Sequence, residues 1–110
     1  MAYKDPYKRE YRIYAIKKDD GNLSDPDAAI DKYYFREYDC YGALVGDYRA
    51  SRQYVVNEVK AGRVEAWTWP NDHRGALCEA CRSVEGVEYL KTIPNSNPDD
   101  NLSNLPTRED

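Results

Sequence analysis

Ser51-Arg52-Gln53-Tyr54-Val55-Val56-Asn57-Glu58-Val59-Lys60-Ala61-Gly62 is the stretch of this 110-residue chain that decides its fold class. Ser51 is a good N-cap, since its hydroxyl can accept a bond from an amide of the first turn. Val55, Val56 and Val59 recur with Arg52 at helical spacing, and Gly62 supplies the C-terminal stop, so a helix is expected from Arg52 to about Ala61. The period then changes at once. In Arg63–Trp69, Val64, Ala66 and Thr68 alternate with Glu65, Trp67 and Trp69, the two-residue repeat of a strand, and PNDHRG behind it is dense in turn formers. A helix that hands over directly to a strand marks an α+β chain.

Working outward, Ala76–Arg82 and Val87–Ile93 read as two more short strands separated by SVEG, completing a three-stranded meander. Upstream, Glu10–Lys17 alternates Tyr11, Ile13 and Ala15 with Arg12, Tyr14 and Ile16, a strand with both faces partly covered. Asp19–Asp27 holds turn residues throughout, and Asp25 before Pro26 predicts a short helix from Pro26 to about Asp31. Aromatic content makes Lys32–Tyr41 a strand, and Gly42–Asp47, with its two glycines, reads as a loop. Beyond Pro94 only Leu102 and Leu105 can anchor the chain. The expected architecture is a single antiparallel sheet of four or five strands with one main helix on one face. It spans residues 10–106, with a flexible arm at 1–9 and a disordered tail at 107–110. Ile13, Val55, Val56, Val59, Val64, Ala66, Leu77, Val87 and Leu90 are the expected core.

Composition narrows the function. The net charge of -4 excludes an overall cationic coat for polyanions. No apolar run approaches the roughly 20 residues that span a bilayer, and the start MAYKDPYKRE lacks the apolar stretch of a signal peptide. A cytoplasmic protein with no membrane partner is expected, in a bacterium or in the host cytoplasm if phage-encoded. Three cysteines, an odd number, argue against a disulfide framework. Eleven tyrosines beside one Phe and two Trp exceed what a core of this size can enclose, and an exposed Tyr is both sticky and soluble. Tyr33, Tyr34, Tyr38, Tyr41, Trp67 and Trp69 are therefore the candidate protein-binding residues.

Cys78-Glu79-Ala80-Cys81, with His73 before it and Cys40 upstream, has the ligand count of a tetrahedral zinc site, the one cofactor the sequence suggests. Residues three apart in a strand point to opposite faces, so such a site needs a knuckle at Glu79. Zinc-deaminase chemistry is excluded, because Gly75 and Leu77 stand where it needs Glu and Pro. A lone His73, without a serine in a glycine-flanked elbow, makes no nucleophilic triad, and no glycine-rich phosphate loop precedes a helix. No enzyme is expected. Residues 1–18 carry six basic and two acidic side chains interleaved with tyrosines, the mixture that tracks phosphates and stacks bases. Lys8, Arg9, Arg12, Lys17 and Lys18 are thus the alternative, nucleic-acid-binding candidates.

The segment Gly86-Val87-Glu88-Tyr89-Leu90-Lys91-Thr92, followed by Asp100-Asn101-Leu102 and Leu105-Pro106, resembles the ending of a small bacterial and phage family. That family is catalogued as domain of unknown function 3892. Arg12-Ile13, Ile16-Lys17-Lys18, Pro26 before Ala29-Ile30, and Ser51 opening a helix that ends at Gly62 fall in the family's order, so the resemblance spans about residues 10–106. YYFREYDCYGALVGDY and the cysteines depart from its usual pattern. The resemblance implies a tail that acts as a structural clasp, its Asn and Leu side chains pinning the last segment to the sheet. It implies no catalytic residues. The expected function is a non-enzymatic interaction module for a host protein or nucleoprotein complex, with a phage-type inhibitor of a bacterial nucleic-acid-handling complex as its concrete form.

Overall fold

Strand alternation and one amphipathic helix build the chain in the order β1 (Arg9–Lys18), β2 (Ile30–Tyr38), β3 (Leu44–Ser51), α1 (Arg52–Lys60), β4 (Val64–Thr68), β5 (Leu77–Arg82) and β6 (Glu88–Thr92). The structure, a computed structural model, describes residues 8–18 and 26–108. The strands form a six-stranded mixed sheet ordered β3-β2-β1-β4-β5-β6, in which β1 and β4 are parallel and every other pair is antiparallel. The class is α+β, as expected, and α1 is the expected main helix. The expected antiparallel sheet of four or five strands is corrected on both counts. The sixth strand is β3, which arises where Gly42–Asp47 reads as a loop. The parallel pair arises because α1 carries the chain from β3, at one edge, across to the far side of β1.

Local chemistry explains the elements. Ser51 Oγ accepts from the Tyr54 amide at 3.2 Å, and Val55 and Val56 face the sheet. The helix ends on Ala61, with Gly62 at φ 75°, where a side chain would be strained. No helix forms at 26–31: residues 26–29 make a turn and β2 begins at Ile30. The Arg52 guanidinium takes the carbonyls of Ala28 at 2.7 Å and Ile30 at 3.2 Å, leaving them unavailable to a helical ladder. Asp19–Asp25 lie outside the described residues.

The core fills the space between α1 and the sheet. Tyr11, Ile13 and Ile16 of β1 meet Tyr33 and Phe35 of β2, Val64 and Ala66 of β4, Leu90 of β6 and the helix valines. A bulge between Ile13 and Ala15 resets the phase, so that Tyr11, Ile13 and Ile16 share one face. Val59 packs half-buried against this cluster, whereas Leu77 and Val87, also expected in the core, are half-buried outside it. Leu77 pairs with Trp67 on the face away from the helix. Leu102 and Leu105 complete the core from the tail. The clasp is held by the Leu102 amide on Thr92 Oγ1 at 2.9 Å and by Asn95 Nδ2 on Asp100 Oδ2 at 2.9 Å. Thr107 bridges Ile16, with Arg108 N donating to Ile16 O at 2.8 Å, so order extends past Pro106 where disorder was expected. Residues 109 and 110 are outside the description, as are residues 1–7 of the expected arm. Arg9, also assigned to the arm, already belongs to β1.

Candidate functional site

The sheet face away from α1 is covered by guanidinium groups plated onto aromatic rings. Arg12 lies between Tyr38 and Trp69, 3.8 and 4.2 Å from the ring centroids, and its Nε donates to Glu10 Oε2 at 2.8 Å. Glu10 also accepts from Arg74 at 2.8 Å, and that guanidinium sits 4.3 Å above Trp67. Arg36 and Arg108 lie over Tyr14, whose hydroxyl donates to Asp47 at 2.7 Å, and Arg108 also covers Tyr34. Each plate removes ring surface from water while its charge meets a carboxylate or the solvent. The layer therefore does the covering work of a second rank of helices.

This arrangement reassigns the sequence candidates. Tyr33 and Tyr34 are buried, the first beneath α1 and the second beneath Arg108, so neither offers a binding surface. Tyr38, Trp67 and Trp69 do come together, half-buried under Arg12 and Arg74. Tyr41 stands apart, 88% exposed at the β2–β3 turn. The basic candidates make no single stripe, because β1 is a central strand whose successive side chains point to opposite faces. Arg9 pairs with Glu37 and Arg12 with Glu10 on the opposite face, Lys8 and Lys17 are half-buried, and Lys18 is exposed at the far end. The zinc candidates do not converge either: no three metal-ligating side chains group among the described residues. Cys78 points into the core, and burial, with some help from Asp27, pushes its thiol well above the usual range. Cys81, three residues on, faces away; Cys40 sits in the β2–β3 turn; His73 approaches Asp100 at 3.9 Å. The residues present do not fit the metal.

A cleft of about 550 Å³ opens instead between β3 and the start of α1. Tyr11, stacked on Phe35 at 4.2 Å, forms its floor, and Tyr48 and Tyr54 are side walls. Glu37, whose side chain is 8% exposed, lies within it and accepts from Arg9 Nη1 at 3.0 Å. Burial, followed by the nearby Tyr54, Glu37 and Glu58, raises the Tyr11 phenol far above its ordinary value. Among the described residues, five of the seven exposed large apolar side chains, Tyr41, Leu44, Val45, Tyr48 and Tyr54, gather on β3, its entry turn and the first turn of α1. The β2–β3 turn is built by Asp39, whose carboxylate accepts from the amides of Tyr41 and Ala43 at 2.9 Å each. β3 is also an edge of the sheet, with no described strand on its outer side. Of these residues only Tyr41 was a candidate from sequence. Alternation of Leu44, Gly46, Tyr48 and Ala50 with Val45, Asp47 and Arg49 was the available signal, hidden by the two glycines.

No curated protein and no solved structure matches this chain. A family match covers residues 12–106, from within β1 to the end of the clasp, and by it the chain belongs to the family described as Protein of unknown function (DUF3892).

Proposed function

We propose that this protein is a non-enzymatic interaction module that takes a partner protein on the free edge of β3 and in the adjoining cleft. The observation that carries this reading is the gathering of exposed Tyr41, Leu44, Val45, Tyr48 and Tyr54 around an edge strand and a cleft. An unpaired edge presents a row of backbone donors and acceptors, and adjacent pockets supply side-chain selectivity. Asp47 and Arg49 put charge on the later part of β3, whereas the Leu44–Val45 end carries none. Tyrosines at the rim are the residue type that anchors interfaces. The plated face supports a nucleic-acid partner less well, because Arg12 and Arg74 are already engaged by Glu10 and by rings.

Capture from bacterial lysate with tagged full-length chain, with and without nuclease, tests the reading when it is run beside a Leu44→Lys/Val45→Lys variant. A protein retained through nuclease and lost with the β3 variant supports it. A capture that nuclease abolishes, or one that the β3 changes leave intact, overturns it.

A further inference from the structure

Glu37 raises a question of charge. A carboxylate this far out of water requires a cation and, to be fully satisfied, bonds to both oxygens. Among the described residues its one bond comes from Arg9, one nitrogen to one oxygen, and the Arg9 side chain is itself 60% exposed. The two-pronged fork that a guanidinium offers a carboxylate is not formed. Opposite Glu37 on β3 stands Gly46, and a Cβ there would lie 2.6 Å from Tyr48 Cζ. The missing side chain lets the Tyr48 ring fold back beside the carboxylate. The result is a buried negative charge among the rings of Tyr11, Phe35, Tyr48 and Tyr54, in a cleft also lined by Arg9 and by Arg49, which stands opposite Tyr34 in the β2–β3 register, and open to solvent along the free edge of β3. Aromatic faces with a carboxylate behind them select a flat cation, since the rings attract its charge and the carboxylate takes its N–H groups. An anionic side chain would place its charge against Glu37.

We infer that the cleft receives one arginine side chain of the partner, carried on an extended segment that pairs with β3, and that Arg9 occupies the carboxylate as an intramolecular stand-in. This rests on the reading of β3 as the docking edge. It makes Glu37 the specificity-determining residue and Arg9 a competitor that an incoming guanidinium displaces.

The test is titration of the full-length chain with a blocked peptide Thr-Val-Arg-Val-Thr and with the same peptide carrying citrulline, the uncharged isostere, in place of arginine. Binding is followed by calorimetry and by amide shifts of β3. The arginine peptide is expected to bind about tenfold tighter or better, the scale of a hydrogen bond to a charged group. Arg9→Ala should tighten the arginine peptide and not the citrulline one. Glu37→Gln should erase the difference between the peptides, and adding Arg9→Ala to it should then change nothing. If Glu37→Gln does not fold, the contrast between the two peptides on Arg9→Ala decides alone. Equal binding of both peptides, with shifts on β3, overturns the arginine pocket and leaves the docking edge standing. Binding by neither peptide, or shifts confined to other strands, also overturns the pocket, and the capture experiment then decides the edge separately.

Discussion

Leu102→Ala should cost this protein about 3 kcal/mol of stability, a large loss for a residue outside every strand and outside α1. The leucine is fully buried in the same cluster as Leu90, Val55 and Val56. Burying such a side chain is worth about 1.5–3 kcal/mol by transfer, and an unfilled cavity raises the loss on truncation to about 2–5 kcal/mol. Collapse into the cavity is restricted here, because the segment is fastened on both sides of it. Its own amide is held by Thr92 Oγ1, Asn104 Nδ2 donates to the Pro98 carbonyl at 2.6 Å, and Thr107 bridges Ile16. The first of these bonds is made by backbone and survives the substitution, so the deficit reports packing alone. Urea unfolding followed by tryptophan fluorescence and by circular dichroism measures it. An unchanged slope with a lower midpoint is the signature of lost native stability. At about 4 °C per kcal/mol for a chain of this size, the melting temperature should fall by about 12 °C. A loss below about 1 kcal/mol with coincident transitions would show that the 98–106 segment lies on the core without belonging to it.

Other outcomes follow from the same geometry. Cys78, Tyr11 and Tyr33 all ionise far less readily when folded, chiefly through burial. The unfolded chain therefore releases their protons first, above about pH 8.5 for the thiol and about pH 10 for the phenols, and stability is lost as pH rises. Denaturation series should show a decline of about 1.4 kcal/mol per pH unit per ionising group, and stability that stays flat from pH 8 to 11 would contradict this. In native protein at pH 8, mass-mapped alkylation should spare Cys78 and reach it only after unfolding; rapid native labelling would mean that β5 is not packed as described. Gly75→Ala would set a Cβ 2.2 Å from Thr68 Oγ1, the buried acceptor of the Ala76 amide. A loss of about 1–3 kcal/mol in chemical denaturation is expected, and a neutral result would show that the Thr68 side chain turns away freely. Arg12→Lys should cost about 1 kcal/mol and red-shift tryptophan emission, because an ammonium cannot lie flat between Tyr38 and Trp69 while donating to Glu10; unchanged emission would remove the covering role assigned to the plates.

Much of the fold was legible locally. The α1 boundaries followed from a cap, a valine stripe and a glycine, all within one short window, and β4, β5 and β6 followed from alternation between turn formers. Where reading failed, distant groups had decided the local outcome. The Pro26 turn carries good helix-start signals, yet Arg52, far along the chain, claims the carbonyls of Ala28 and Ile30. Gly46 looked like loop punctuation, and its role is to admit the Tyr48 ring beside Glu37. The candidate site suffered most. Tyrosine count pointed to a binding protein, but which tyrosines are free depends on which face of which strand each one occupies and on what lies over it. Tyr33 and Tyr34 adjoin in sequence and are buried on opposite faces by different covers, while Tyr48 and Tyr54, unremarkable in sequence, border the cleft.

The α+β class, the main helix α1 and the anchoring leucines Leu102 and Leu105 were determined by the sequence alone, because period, capping and apolar spacing act over a few residues, and the family was legible in the motif residues from Gly86 to Pro106. Strand order was not, since every antiparallel or parallel pairing satisfies the same alternation. The placement of β4 beside β1 comes from the packing of α1 over the sheet, and that placement leaves β3 unpaired at an edge. A cleft between Tyr11, Glu37, Tyr48 and Tyr54 joins residues from three strands and a helix, so it exists only once the chain has closed around its core.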